Sequence, residues 1–273
     1  MSKRVSQTLL HAALVLGGLL AAAPLVWMVL ASLMPAGQAN TYPPVFIPRP
    51  ITFEHYAVLF TRLNIGRYFV NSALLAFAVT AISLLINSMA GYAFAKFQFR
   101  GRDRLFRSLL TALVIPAQVA MLPLFLLLKE LGMINSYGGV IIPGMASIFG
   151  IFLVRQYTLS VPDELLQAAR IDGAGEFRIY WSIVLPVIRP ILATLAIFTF
   201  MGTWNDFMWP LIVLSDEAKY TLPVALANLS GEHVQDTELM MAGSVLTVLP
   251  VLLSFVFLQR YYLEGIMVGS VKG

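Results

Sequence analysis

The chain contains no cysteine and little charge, and these two shortages narrow its class before any motif is read. Without Cys there is no disulfide scaffold, no thiolate ligand for a metal and no thiol nucleophile. Charged residues fill 12% of the 273 positions, against about 25% in an ordinary soluble domain. With a mean hydropathy of +0.80, too few charges remain to cover a globular surface, which argues against a soluble enzyme or a disordered tail. Histidine is scarce as well: His11, His55 and His233 stand far apart and match no metal spacing. The sequence has no G-x-x-x-x-G-K-[ST] phosphate loop and no G-x-S-x-G nucleophile elbow. The expectation is a chain with no catalytic residue, no metal and no cofactor of its own.

Apolar sequence is what the chain has in abundance, 59% of it. A helix needs about 20 predominantly apolar residues to cross a bilayer core. Six runs meet or approach that length, at about 12–34, 69–95, 108–128, 134–154, 186–211 and 239–258. The expected fold is an all-α polytopic membrane protein with six transmembrane helices in one domain over residues 1–273. Pro24, Pro116, Pro143, Pro190 and Pro250 fall inside the runs, where each is expected to kink its helix while bundle neighbours satisfy the freed carbonyls. Lys3 and Arg4 ahead of the first run have the form of a signal peptide, with Ala21-Ala22-Ala23 as its cleavage site. Pro24 would then directly follow the cut, and apolar sequence continues to Met34, so an uncleaved first helix is expected.

Orientation follows from the lysines and arginines in the connecting segments. With a cytoplasmic N-terminus, 13 of the 18 fall on the cytoplasmic side, including Lys96, Arg100, Arg102, Arg104, Arg107, Arg155, Arg170 and Arg178. Only Arg49, Arg62, Arg67, Lys129 and Lys219 fall opposite, so both termini are expected inside. The same distribution explains a pI near 9.4 without nucleic acid, because the bases are spread over several loops and form no stripe. On the outer side two segments are long, a proline-rich one at 35–68 and an acidic one at 215–238. These are the places where an external partner or solute is first met.

The most informative inner loop lies at about 155–185. Ser160, Pro162, Asp163 and Glu164 read as a helix start with acids in the first turn. Gly173 reads as its left-handed stop. Between them Leu165, Leu166, Ala169 and Ile171 are expected to share one face, with Ala168 and Ala169 keeping the surface low enough for close approach. A second helix is expected from Glu176 to Pro186. The acids Asp163, Glu164, Asp172 and Glu176 balance Arg170 and Arg178. That balance suits a protein partner better than anionic lipid headgroups.

At these residues the chain resembles the permease subunits of bacterial ABC importers, whose inner loop carries E-A-A-x-x-x-G, nine residues, then I-x-L-P. Ala168, Ala169, Gly173, Ile183, Leu185 and Pro186 match with the same spacing, and Gln167 replaces the Glu. The likeness extends to the carbohydrate-importing branch that includes the maltose permeases. Its signatures are Trp204-Asn205-Asp206-Phe207 with Pro210-Leu211, Asn71-Ser72, Gly91-Tyr92-Ala93, and the tail from Gln259 through Gly265 and Gly269 to Val271-Lys272-Gly273.

The resemblance implies a multi-pass protein of the bacterial inner membrane. It would act beside a second permease, two cytoplasmic ATPases that hold ATP-Mg, and an extracytoplasmic solute-binding protein. It assigns ATPase coupling to Glu164, Leu165, Gln167, Ala168, Ala169, Asp172, Gly173, Ile183, Leu185 and Pro186, and a tail contact to Val271, Lys272 and Gly273. The implied solute is a sugar or oligosaccharide, with a polyol or glycerol phosphate as the alternative. Candidates for the translocation path are Asn87, Gln118, Asn205 and Asp206, polar groups within or near apolar runs. For Asp206 an anchoring role beside the aromatic belt of Trp204 and Trp209 weighs more than a path role. For Asn87 and Gln118, helix bridging does. An ion-coupled secondary transporter would need deep acids that the runs lack.

Overall fold

The computed structural model describes residues 3–232 and 236–268, with side chains over 7–229 and 236–256. Among the described residues the chain is helical and has no strand. In order the helices are α1 (Lys3–Ser32), α2 (Glu54–Thr61), α3 (Ile65–Lys96), α4 (Arg102–Ala112), α5 (Ala117–Glu130), α6 (Tyr137–Gly144) and α7 (Ile148–Thr158). There follow α8 (Asp163–Ile171), α9 (Glu176–Ile179), a π-helical turn at Tyr180–Val184, α10 (Leu185–Val187) and α11 (Arg189–Trp204). The last are α12 (Met208–Val213), α13 (Leu222–Glu232) and α14 (Thr237–Val268).

Four of the six apolar runs are helical segments long enough to cross a bilayer, at Gln7–Ser32, Ile65–Lys96, Tyr137–Thr158 and Thr237–Val256. The third and fifth runs differ from a simple span. α4 and α5 bend by 103° between them, and the Glu176–Val187 and Arg189–Trp204 segments bend by 80°. A proline stands at each break, Pro116 as the N-cap of α5 and Pro190 in the first turn of α11. Proline donates no N–H and fits the first turn of a helix but not its interior, so each starts the following helix rather than continuing the one before. Pro24 and Pro250, by contrast, pass inside α1 and α14. The fifth run also ends early: α11 stops at Trp204, and α12 restarts at Met208.

The chain forms two units, Met1–Gly66 with Ala225–Pro250, and Arg67–Val224 with Val251–Gly273. In the first, the proline-rich segment after α1 is tied down rather than free. His55 Nε2 donates to the Met34 carbonyl at 2.9 Å, and the Ala39 N–H donates to Glu238 Oε1 at 2.7 Å. Gly243 lets α13 and α14 approach closely, since an added Cβ there would press on the Leu226 side chain.

In the second unit α3 is the spine. An added Cβ at Gly91 would lie 2.7 Å from Val154 Cβ, so α3 and α7 cross almost backbone to backbone. Nearer its start, α3 carries Asn71, whose amide donates to the Ala218 and Tyr220 carbonyls at 3.0 and 2.9 Å and accepts from the Tyr137 hydroxyl at 2.8 Å. Ser72 Oγ accepts the Leu222 N–H at 2.8 Å. The start of the acidic 215–238 segment is thereby sewn to α3, and its Leu222–Glu232 part is the helix α13 rather than open loop.

Candidate functional site

The 160–188 segment stands on a core built by α3, α7 and α11. Leu166 is 1% exposed and packs with Tyr92, Val154, Val161, Ile179, Tyr180, Val184 and Ile188. Ala169, Ala174, Ile183 and Leu185 border the same cluster. α8 starts at Asp163 after the N-cap Pro162, two residues later than a Ser160 cap would give; the Ser160 hydroxyl instead donates to the Tyr157 carbonyl at 2.7 Å. The helix ends as expected: Gly173 has φ +81° and its N–H donates to the Arg170 carbonyl, while Ala174 N–H donates to Ala169. A left-handed residue closes the helix without a Cβ clash only if it is glycine.

The expected apolar face is split. Leu166 and Ala169 point to the core, whereas Leu165 is 49% and Ile171 is 87% exposed. Leu165, Ala168 and Ile171 follow one another at i, i+3 and i+6, so they form a continuous exposed stripe flanked by Glu164, Gln167 and Asp172. The ten residues expected to couple thus fall into two groups. Glu164, Leu165, Gln167, Ala168, Asp172 and Gly173 are exposed, while Ala169, Ile183, Leu185 and Pro186 are partly buried supports.

Polar contacts fix the segment against α3. Lys96, the last residue of α3, has a side chain only 6% exposed and reaches Asp163 Oδ1 at 2.6 Å and the Val161 carbonyl. The Lys96 ammonium holds the Asp163 carboxyl below its ordinary pKa. Glu176 accepts from Arg170 Nε at 2.6 Å and from the Tyr92 hydroxyl at 3.0 Å. The Arg170 hydrogen bond, helped by that of Tyr92, holds the Glu176 carboxyl low against the opposing effect of burial. Ser88 and Tyr180 share a hydrogen bond of 2.7 Å. Lys96, Tyr92 and Ser88 were not singled out by sequence as anchors, since their partners lie 67, 84 and 92 positions away. A lysine closing an apolar run and a tyrosine one turn earlier were the only available signal.

The candidate path residues do not converge. Asn87 is fully buried; its amide donates to Ser83 Oγ within α3 at 2.7 Å, and its Oδ1 accepts the Ser147 N–H at 3.0 Å, which joins α3 to the N-cap of α7. Gln118 is exposed in the first turn of α5. Asn205 caps α11, donating to the Met201 carbonyl at 2.9 Å. Asp206 accepts the Trp209 N–H at 3.3 Å and borders a concavity of about 250 Å³ with Thr203, Met121, Leu124 and Pro143. Trp204 and Trp209 are 1% and 7% exposed, so neither belongs to a lipid-facing belt; the Trp209 indole donates to the Gly139 carbonyl. Val271, Lys272 and Gly273 lie outside the described residues.

Residues 87–267 match the family described as the binding-protein-dependent transport system inner membrane component, and the chain belongs to that family. It is a multi-pass membrane protein and a permease subunit of the ABC importer type. Among its relatives is the arabinooligosaccharides transport system permease protein AraQ of Halalkalibacterium halodurans, 39% identical over 92% of this chain and 91% of that one. Another is the lactose transport system permease protein LacG of Rhizobium radiobacter, 34% identical over 99% and 98%. In three dimensions it matches a chain of a bacterial ABC transporter involved in import of the acidic polysaccharide alginate. That match has a TM-score of 0.84 and 25% identity, over 96% and 99% of the two chains.

Proposed function

We propose that this chain serves an ATP-driven, binding-protein-dependent importer of a sugar or oligosaccharide, as one permease domain lining the path with a second permease. The names of the relatives support the solute class. Both termini and the 160–188 segment face the cytoplasm of a bacterial inner membrane, in keeping with the lysine and arginine distribution. ATP-Mg is bound by two separate ATPase chains, and an extracytoplasmic binding protein delivers the solute to the opposite face. The exposed apolar surfaces of α1 and of residues 113–122, including Val114 at 82% and Leu19 at 65%, are covered by lipid and by the second permease.

The observation that carries the reading is the mounting of α8. Its inner face is locked to the core and to Lys96, while the stripe Leu165–Ala168–Ile171 is presented outward. A helix fixed on one side and bare on the other transmits a push between a docked ATPase and the helices beneath it. ATP then shifts an equilibrium between two orientations of the path through contacts that differ between them.

Gly173→Leu tests this. A Cβ at Gly173 meets nothing within 4 Å, so the variant is strained only through its φ of +81°, at a cost of about 1 kcal/mol. Membrane abundance should stay at the wild-type level. Co-purification of the ATPase, or uptake per ATP hydrolysed, should fall. Full association together with full uptake would remove the coupling assignment.

A further inference from the structure

The turn between α3 and α4 carries a second charged surface, and its chemistry differs from that of the coupling segment. Residues Gln98, Phe99, Gly101, Arg102, Arg104 and Arg107 border an open concavity of about 380 Å³. The acid in it, Asp103, is taken by Arg102 at 2.9 Å, and Arg102 is further held by the Phe97 carbonyl at 3.2 Å. Among the described residues no carboxylate pairs with Arg100, Arg104 or Arg107. Arg104 and Arg107 lie three apart on α4, so they share a face, and both border the concavity; Arg107 Nε also donates to the Asp103 carbonyl at 3.1 Å.

The neighbours of these cations identify the occupant. The turn begins just after Lys96, where a 32-residue apolar helix ends, and so it sits at the polar margin of a bilayer. Phe99 and Leu105 are 44% and 51% exposed beside the arginines. Exposed apolar and cationic groups in one short segment match a molecule with a hydrocarbon body and an anionic head. An acidic protein surface would satisfy only the arginines and leave Phe99 and Leu105 in water.

We propose that the Gln98–Arg107 turn is a binding site for anionic phospholipid. The phosphodiester is held by Arg104 and Arg107, and the acyl chains lie against Phe99 and Leu105. Arg102, already paired, shapes the concavity. This inference rests on the chain spanning a membrane but not on ATPase coupling.

The test uses the assembled transporter in phosphatidylcholine nanodiscs containing a minor fraction of spin-labelled phosphatidylglycerol. Wild type should retain an immobilised phosphatidylglycerol population that salt diminishes. Arg104→Gln with Arg107→Gln should weaken it, by about fivefold per arginine and roughly 25-fold for the pair. Leu105→Ser should weaken lipid retention while the charges are intact, which a site for a free anion would not do. Arg62→Gln with Arg67→Gln removes equal charge elsewhere and should leave retention at the wild-type level, excluding a net-charge effect. The proposal is overturned by unchanged retention in the arginine pair. It is equally overturned if millimolar inorganic phosphate displaces the lipid fully while Leu105→Ser binds as wild type, which would define a free-phosphate site. Loss of the ATPase from the arginine variant with lipid retention intact would make the turn a protein interface and overturn it too.

Discussion

Two polar connectors leave the same core, the 98–107 turn and the 160–188 segment, and they are built in opposite ways. Each holds a glycine with positive φ and open space where a Cβ would be, Gly101 at +84° and Gly173 at +81°. Beyond that the likeness stops. The longer segment mixes signs and spends its charges on cross-links, with Asp163 on Lys96 and Glu176 on Arg170 and Tyr92. The shorter one is of a single sign apart from Asp103, and most of its arginines have no carboxylate partner among the described residues. Internally satisfied charges rigidify a helix and leave its apolar stripe as the recognition element. Cations without a carboxylate partner instead suit an external anion. The contrast separates the proposed coupling helix from the proposed lipid site.

The comparison is sharpest at two adjacent leucines. Leu166→Asp places a charge at a site 1% exposed in the core, where an unpaired carboxylate costs several kcal/mol. The 160–188 segment should detach, seen as rapid protease cleavage there and a fall in membrane abundance. Leu165→Asp, one residue away on the exposed stripe, should shift stability by no more than about 0.5 kcal/mol while abolishing coupled uptake. Equal abundance for both variants would contradict the inward and outward faces assigned to α8.

The packing of α8 was only partly legible in the sequence. Its start within three residues, its stop at Gly173 and the balanced charges could all be read locally, because capping and left-handed glycine are properties of a few neighbouring residues. Which of Leu165, Leu166 and Ile171 turns inward could not be read. A nine-residue helix with apolar residues at adjacent positions offers more than one face, and α3 and α7 make the choice. Of the helices, the long ones were plain from apolar runs, and kinks were expected at five prolines alike, whereas the sharp bends fall at Pro116 and Pro190. Pro24 and Pro250 sit in similar sequence and break nothing, so the outcome depends on what neighbours each freed carbonyl. Trp204 and Trp209 were misread as a belt because indole suits both an interface and a buried hydrogen-bonded site. Asn71 and Lys96 do their fastening to groups 147 and 67 positions away, which no local pattern reports.

A smaller effect is expected from pH. The Asp163 and Glu176 carboxyls are held below their ordinary values in the folded protein. A depressed carboxylate adds stability that is fully present above the unfolded pKa and lost as pH falls through the folded one. Anchoring of α8 should therefore be unchanged from pH 7 to 5 and weaken only below about pH 4. Hydrogen exchange of the 163–176 amides across that range measures it. Glu176→Gln keeps the hydrogen-bonding shape and should remove part of this acid sensitivity at near-wild-type stability at pH 7, because exposed pairs contribute about 0–1 kcal/mol.

The natural absence of cysteine allows the proposed coupling helix itself to be located. A single Cys at Ala168, mid-stripe on α8, should crosslink to a Cys-bearing partner ATPase in membranes through a short bifunctional thiol reagent, and the yield should change when ATP is added. A Cys at Lys129, assigned to the opposite side, should give no such product. Crosslinking from Lys129, or its absence from Ala168 in a transporter that still performs ATP-driven uptake, would contradict the assignment of α8 as the surface through which ATP hydrolysis drives this permease.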